Sequence, residues 1–392
     1  MAAEMQYRTD PKSGNKLSVL GFGCMRFPKS AVLCEELITT AVQAGINYFD
    51  TAHMYSGSEA TLGGILKKHG LREKVFIASK LPHFRCKKSG DIEKFFAESL
   101  ERLQTDYIDY YLIHNIGSLD AWNRLEDFGI REWITKKKEE GFIRKIGFSF
   151  HGKSVDFIPL LDAYDWDFCQ IQYNYINENY QAGTAGLKAI HERGMAAIIM
   201  EPLLGGKLAQ SLPQEAKNLF DQTTPGRTPA AWALKWLWDK PEVTVVLSGM
   251  NTLEQLSENC EVARNSPVGS LTDAERAVYG AAYSAISQAY KVPCTGCDYC
   301  MPCPSGVNIP ACFSAYNMSY IMGFSSGMGL YMTATLGLGA SRSSPGNCTK
   351  CGVCIKKCPQ GIDIPRRLKD VHKRLEPLPI RLVLKVVKRF IG

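Results

Sequence analysis

The chain has 392 residues, 45% hydrophobic and 22% charged, which excludes wholesale disorder, collagen and coiled coil and allows two or three domains or one large barrel with an appendage. The formal charge of +7 is concentrated: in residues 365–392 nine Lys and Arg stand against two Asp and Glu, so the tail carries the excess and the rest is no nucleic-acid face. Fourteen cysteines behind Met1-Ala2-Ala3-Glu4, with neither a basic n-region nor an apolar h-region, point to a cytoplasmic chain with thiols or metal ligands rather than disulfides.

Apolar runs of strand length alternate with helix-period segments through the first two thirds. The runs are 17–23, 46–50, 75–80, 107–114, 143–149, 168–172, 196–201 and 243–249. The helical segments between and after them are 35–44, 58–68, 91–103, 121–140, 153–163, 183–193, 228–239 and 252–263. Eight strand–helix units predict an α/β fold, a (β/α)8 TIM barrel over residues 1–285 with its active site at the strands' C-terminal ends. An open doubly wound sheet is the alternative, but Gly21-Phe22-Gly23-Cys24 does not supply its Gly-x-Gly-x-x-Gly turn.

A second domain is expected over 286–365, mostly α-helical, with a basic tail at 366–392. Residues 299–341 contain no Asp, Glu, Lys, Arg or His, a length that could span a membrane. Five glycines and several Ser and Thr interrupt its apolar part, 318–340, and cysteine motifs flank both ends, so packed helices are the expected reading.

Eight cysteines form two runs, Cys294-x2-Cys297-x2-Cys300-x2-Cys303-Pro304 and Cys348-x2-Cys351-x2-Cys354-x3-Cys358-Pro359. Structural zinc is the alternative reading of Cys-x2-Cys pairs, but it leaves the two Cys-Pro endings unexplained. The runs resemble paired ferredoxin motifs of the two-[4Fe–4S] type. That resemblance implies one cluster held by Cys294, Cys297, Cys300 and Cys358, and a second by Cys348, Cys351, Cys354 and Cys303. The isolated Cys24, Cys34, Cys86, Cys169, Cys260 and Cys312 read as small buried hydrophobes.

Phe49-Asp50-Thr51-Ala52-His53-Met54-Tyr55, Ser79-Lys80-Leu81 and Leu112-Ile113-His114 place Asp50, Tyr55, Lys80 and His114 just after the second, third and fourth strands. In order and spacing they resemble the catalytic tetrad of the aldo/keto reductases, a similarity that extends through the barrel. The resemblance implies carbonyl reduction. Tyr55 would donate a proton, its phenol made acidic by Lys80; Asp50 would hold Lys80 charged, and His114 would hydrogen-bond the substrate oxygen.

The same resemblance implies NADPH, with Ser149 and Gln172 at the nicotinamide, Ser248, Gly249, Gln255 and Asn259 after the last strand, and Gly205, Gly206 and Lys207 after the seventh. Phe150 and Met200 stand where the family has Asn and Tyr, and they suggest an apolar wall for a flavin ring. Barrel phosphate sites hold flavin mononucleotide as well as dinucleotides, so NAD(P)H and FMN both stay open, as does the reading of these glycines as mere tight turns. The expected protein is an oxidoreductase that reduces a carbonyl or related small molecule and exchanges electrons through two [4Fe–4S] clusters. The alternative is an electron-transfer or regulatory subunit with an idle barrel. The basic tail would steer ferredoxin or another acidic redox protein; Val383, Leu384, Val386, Val387, Phe390 and Ile391 among its charges make peripheral contact with an anionic membrane the second choice.

Overall fold

The computed structural model describes residues 4–152, 154–179, 181–210, 212–294, 300–321, 323–335, 343–358 and 361–378. Cys297 and the tail residues Arg381, Lys385, Lys388 and Arg389 lie outside them. The chain divides into two compact units, one of Met1–Ala209 with Arg227–Asp273, the other of Gln210–Gly226 with Ala274–Gly392.

The first unit is a closed barrel of eight parallel strands: β1 Leu20–Gly23, β2 Tyr48–Asp50, β3 Phe76–Leu81, β4 Ile108–Ile116, β5 Ile143–Phe150, β6 Phe168–Gln172, β7 Ala196–Met200 and β8 Val245–Ser248. Each strand pairs with the next in sequence, and β8 closes on β1 through Val246 opposite Leu20. The interior is a packed apolar cluster that includes Tyr48, Ala78, Tyr110, Leu112, Phe168, Ile198 and Leu247. The rings of Tyr48 and Phe168 lie 5.3 and 5.0 Å from that of Tyr110. This is a filled core rather than a pore.

The first strand is shorter than the apolar run predicts, because residues 17 and 18 join a separate hairpin. Lys16–Ser18 pairs antiparallel with Tyr7–Thr9. Asn47 takes the backbone groups that a continued ladder would use: its Oδ1 accepts from the Ser18 amide at 2.8 Å and its Nδ2 donates to Lys16 O at 2.8 Å. The hairpin's turn reaches the barrel core, where Tyr110 donates its phenol proton to Asp10 at 2.9 Å.

Three helices position the site: α1 Ala31–Gln43, α2 Ser58–Lys68 and α3 Gly90–Leu103. The predicted helix over 121–140 is two, Leu119–Glu126 and Ile130–Glu139. Gly129, at φ 76°, supplies the left-handed residue that breaks it, and its amide closes the first helix on Glu126 O at 2.8 Å. The loop after β7 carries helices at Lys207–Gln210 and Gln214–Thr223 that no apolar period announced.

In the second unit the uncharged stretch folds into helices Ile309–Ile321 and Phe324–Thr335, separated by Gly323 at φ 87°. The absence of charge on the first reflects burial: Cys312, Phe313, Ala315, Tyr316 and Met318 are all inside. Helix Ile364–Leu375 lends it a cation, with Arg374 donating to Ser319 Oγ and O at 2.7 and 2.9 Å and lying 3.9 Å over the Tyr320 ring. Among the described residues no helix is long and apolar enough to cross a membrane.

The seating of α2 matters most for function, since it follows directly on the Tyr55 loop. A Cβ on Gly63 would stand 2.3 Å from Leu103 O and 2.6 Å from its Cα, backbone atoms that cannot yield as a side-chain tip can. Alanine normally favours a helix interior over glycine by about 1 kcal/mol, but overpacking costs about 1–3 kcal/mol, so Gly63→Ala is expected to destabilise the protein. A lowered urea midpoint checks this; an unchanged or raised midpoint contradicts it.

Candidate active site

Alternation along the strands builds the site on the core. Tyr48, Ala78, Phe168 and Ile198 face inward, so the residues two positions on, Asp50, Lys80, Gln170 and Met200, face inward at the C-terminal mouth. His114 extends the inward row of Tyr110 and Leu112, and Gln172 that of Phe168 and Gln170.

Lys80 is 1% exposed and Asp50 4%. The ammonium donates to Asp50 Oδ1 at 2.6 Å and to Thr51 O at 2.7 Å, and reaches the Tyr55 phenol oxygen at 3.5 Å. Gln170 donates to the other Asp50 oxygen at 2.8 Å, so both carboxylate oxygens are engaged. Burial alone would push Lys80 down; Asp50 and Tyr55 outweigh it and hold the ammonium above its ordinary pKa.

The Tyr55 and His114 rings meet nearly edge to face, centroids 5.8 Å apart. Burial pushes the Tyr55 phenol above its ordinary value of 10, against the opposing pull of Lys80 and with a further push from Asp50. Before anything binds, then, the lysine limits the rise rather than making the phenol a stronger acid than free tyrosine, which departs from the sequence expectation. Burial, then Lys80, His151 and His83, lower His114 to about 3, so its imidazole is neutral at working pH. Its Nδ1 is buried and has no partner among the described residues.

The loop carrying Tyr55 is tied down on both sides. Ser58 gives its hydroxyl proton to Cys24 O at 2.8 Å, so Thr51 must be the donor in the 2.7 Å contact between the Thr51 and Ser58 hydroxyls. Glu59, 1% exposed, accepts from Ser79 Oγ at 2.6 Å and pairs with Arg102 Nη1 at 3.4 Å. Arg102 also reaches His53 O at 3.4 Å and Glu98 at 3.3 Å. Ser79 adjoins Lys80, so one buried carboxylate couples the tyrosine loop to the lysine strand.

At the expected nicotinamide positions, Ser149 Oγ accepts the Asn115 amide at 2.8 Å, which leaves its hydroxyl proton free to donate. Gln172 is 1% exposed and neither its Oε1 nor its Nε2 has a partner among the described residues. A buried, unpaired amide costs stability unless a ligand completes it. Phe150 faces the other way, fully buried with its ring 4.8 Å from that of Phe157, so the apolar wall expected of Phe150 and Met200 is not formed by both. Met200, half-buried, faces the mouth by itself.

Leu204, Gly205 and Gly206 have φ of 47°, 67° and 91°, an irregular turn that ends at half-buried Lys207. Arg26, which no sequence signal marked, brings its Nη1 to 3.7 Å from where a Gly205 Cβ would stand. Two cations therefore flank the glycine turn. After β8, Asn259 donates to Ser248 Oγ at 3.0 Å and Gln255 Oε1 accepts the Asn251 amide at 2.8 Å, so both side chains brace the loop that begins at Gly249. Gln170 was also missed as a site residue, although its Gln-x-Gln spacing with Gln172 puts both on one face of a strand. His83 and Phe84 complete the rim, with Phe84 49% exposed and its ring 6.2 Å from that of His114.

In the second unit, Cys294, Cys300, Cys303, Cys348, Cys354 and Cys358 gather around one apolar cluster that includes Val292, Val307, Ile309, Ile362 and Ile364. Burial raises the Cys354 thiol most, and the neighbours that add to it are Cys348, Cys303 and Cys351. Cys303 of the first motif therefore lies near Cys354 of the second. Ser305 and Thr349 hydroxyls, 3.0 Å apart, link the two motif loops. Asn317 pins the entry to the first motif, accepting from the Val292 amide at 2.9 Å and donating to its carbonyl at 2.7 Å. Among the described residues no three ligand-type side chains meet at one single-ion position.

Comparison with known proteins follows these two units. The aldo/keto reductase family model matches residues 19–268, and a 4Fe-4S dicluster domain model matches residues 293–364. The chain is 28% identical over 320 residues to the protein tas of Escherichia coli, covering 66% of this chain and 92% of tas. It is 30% identical over 256 residues to an aldo-keto reductase of Mycolicibacterium vanbaalenii, covering 63% of this chain and 83% of that one. Among solved structures, the holo form of aldo-keto reductase AKR11C1 from Bacillus halodurans superposes with a TM-score of 0.61 at 26% identity, covering 71% of this chain and 96% of that one.

The electrostatics fix the pH behaviour. His114, at about 3, stays neutral as pH rises from mild acid, and Tyr55 keeps its proton until pH passes its raised pKa. For carbonyl reduction, kcat/KM is expected to be flat from about pH 5 to 9, with no limb near the ordinary histidine value. An acid limb close to neutrality that His114→Gln removes would contradict this.

Proposed function

The chain belongs to the aldo/keto reductase family, an oxidoreductase family, and carries a 4Fe-4S dicluster domain; from that premise we propose that it reduces a small carbonyl compound with Tyr55 as proton donor and NAD(P)H as hydride source. The observation that carries this reading is the contact of Tyr55 with Lys80 on one side and His114 on the other, at the rim of a barrel otherwise filled with apolar side chains.

Reduction builds negative charge on the carbonyl oxygen, and the chain meets that charge with donors set in place beforehand. His114, neutral, donates a hydrogen bond without adding a second cation beside Lys80. Tyr55 gives its proton to the oxygen and becomes a phenolate, a species that burial disfavours. Lys80 is stationed against that phenolate and is kept from moving by Asp50 and Thr51, while Gln170 holds Asp50. The raised phenol of the free enzyme and the later need for a phenolate are therefore consistent: the ammonium acts when the charge appears.

The nicotinamide group, when bound, supplies the hydride. Gln172 and Ser149 would hold its carboxamide, because Gln172 offers an unmet donor and an unmet acceptor together; Arg26 and Lys207, which flank the glycine turn, would hold its anionic diphosphate. The outward turn of Phe150 removes one support for flavin, which leaves FMN the weaker choice. The cluster domain would exchange single electrons with a separate partner. A cytoplasmic location suits such thiolate-held centres.

Tyr55→Phe is expected to lower carbonyl turnover by about 10²–10⁴-fold while leaving NADPH affinity nearly unchanged, since it removes a transition-state donor and little ground-state contact. The checking measurements are steady-state kinetics and NADPH fluorescence titration on anaerobically purified protein, with acid release of bound cofactor. Turnover within a few-fold of wild type removes Tyr55 from the mechanism. Stoichiometric FMN in the released fraction overturns the choice of hydride source.

A further inference from the structure

We infer that the loop of the second cysteine motif is the docking surface for a small acidic one-electron carrier protein. This rests on the dicluster reading of the second unit and goes beyond it by naming the face and the partner.

Of the described motif cysteines, Cys351 alone is exposed. Around it the sequence from Cys348 to Cys358 holds Lys350, Lys356 and Lys357 and no acid, and all three lysines are exposed. Val353 and Ile355, between them in sequence, are each 40% exposed. An apolar centre with a cationic surround is the composition of a transient protein interface.

The neighbouring acids, Asp363 and Asp370, offset this charge only in part. Asp363 caps helix Ile364–Leu375 by accepting the Arg366 amide at 3.3 Å, and Asp370 pairs with Arg367 at 3.4 Å. Arg366, Lys369 and Lys373 on the same helix are exposed and extend the field. Lys350 also sits at φ 60°, a left-handed conformation that glycine or asparagine adopts at less cost.

A protein carrier is favoured over a lipid or nucleic-acid surface because the charge surrounds the exposed ligand of a one-electron centre. The chemistry of the encounter is simple and balanced. The reduced carrier loses one electron, the centre behind Cys351 gains one, no covalent bond forms or breaks, and no proton is transferred. Attraction between opposite charges would speed the encounter and weaken with salt.

The test uses the full-length, cluster-loaded protein and a fluorophore-labelled acidic [2Fe–2S] ferredoxin, with affinity read by anisotropy against ionic strength. An acidic non-redox protein of equal net charge, phosphatidylserine vesicles and random-sequence DNA serve as competitors. The triple variant Lys350→Glu, Lys356→Glu, Lys357→Glu is expected to weaken ferredoxin binding by more than about tenfold at low salt and to flatten its salt dependence. Val353→Ser with Ile355→Ser is expected to weaken binding while keeping the wild-type salt slope. Iron and acid-labile sulfide content show that each variant is loaded. Unchanged affinity in both variants overturns the inference. So does loss of binding only on truncation after Leu375, or a competitor that binds the same lysines as tightly as ferredoxin. None of these readouts requires carbonyl turnover, so failure here is distinct from failure of the reductase reading.

Discussion

The mouth of the barrel is organised by one buried ion pair. Lys80 and Asp50 stand almost wholly out of water on adjacent strands, and their 2.6 Å contact is supplemented by Thr51 O on the lysine and Gln170 on the carboxylate. Desolvating both charges costs several kcal/mol each, and a buried pair recovers that only with close geometry and further hydrogen bonds. Removing one partner would leave the other charged and unpaired, at a cost of about 3–5 kcal/mol. Such an expensive arrangement makes sense where a third group needs a fixed positive charge, and the Tyr55 phenol oxygen, 3.5 Å from the ammonium, is the group within reach. The ties from Ser58 to Cys24 and from Glu59 to Ser79 and Arg102 then hold the phenol within reach of the ammonium.

The second unit solves a different problem. Thiolates that hold clusters need a dry setting but flexible loops, and the described motif cysteines supply part of the core they sit on. Segments without helix or strand are fixed from outside instead: Asn317 grips Val292 before the first motif, and Glu376 accepts from Ser344 Oγ at 2.7 Å just before the second, while also pairing with His372 and accepting the Tyr331 phenol proton. The uncharged helices follow from the same requirement. Their polar partners arrive from elsewhere, as Arg374 does at Ser319.

What could be read in the sequence and what could not divides along physical lines. The eight barrel strands were legible because parallel strands covered on both faces are continuous apolar runs, and residues 168–172 were placed to the residue. The hairpin at Tyr7–Thr9 and Lys16–Ser18 was not, because three-residue strands of mostly polar residues have no period to detect. Gly129 broke a helix whose apolar spacing runs on through it. Asp50, Tyr55, Lys80 and His114 were found by their order along the chain, and the structure brings them together. Arg26 and Gly205 meet from positions far apart in the chain, and Phe150 faces the helices because alternation assigns Ser149, not its neighbour, to the interior. Neither a long-range contact nor a strand's facing is fixed by residue type alone.

The most direct test of this account is a double-mutant cycle on turnover with Asp50→Asn, Lys80→Met and both together. If the pair exists to present one charge to Tyr55, each single variant loses about 10²–10⁴ in kcat and the double variant is no worse than the poorer single. Losses that multiply in the double variant would mean that Asp50 and Lys80 act separately, and would contradict the claim that the buried pair is one device.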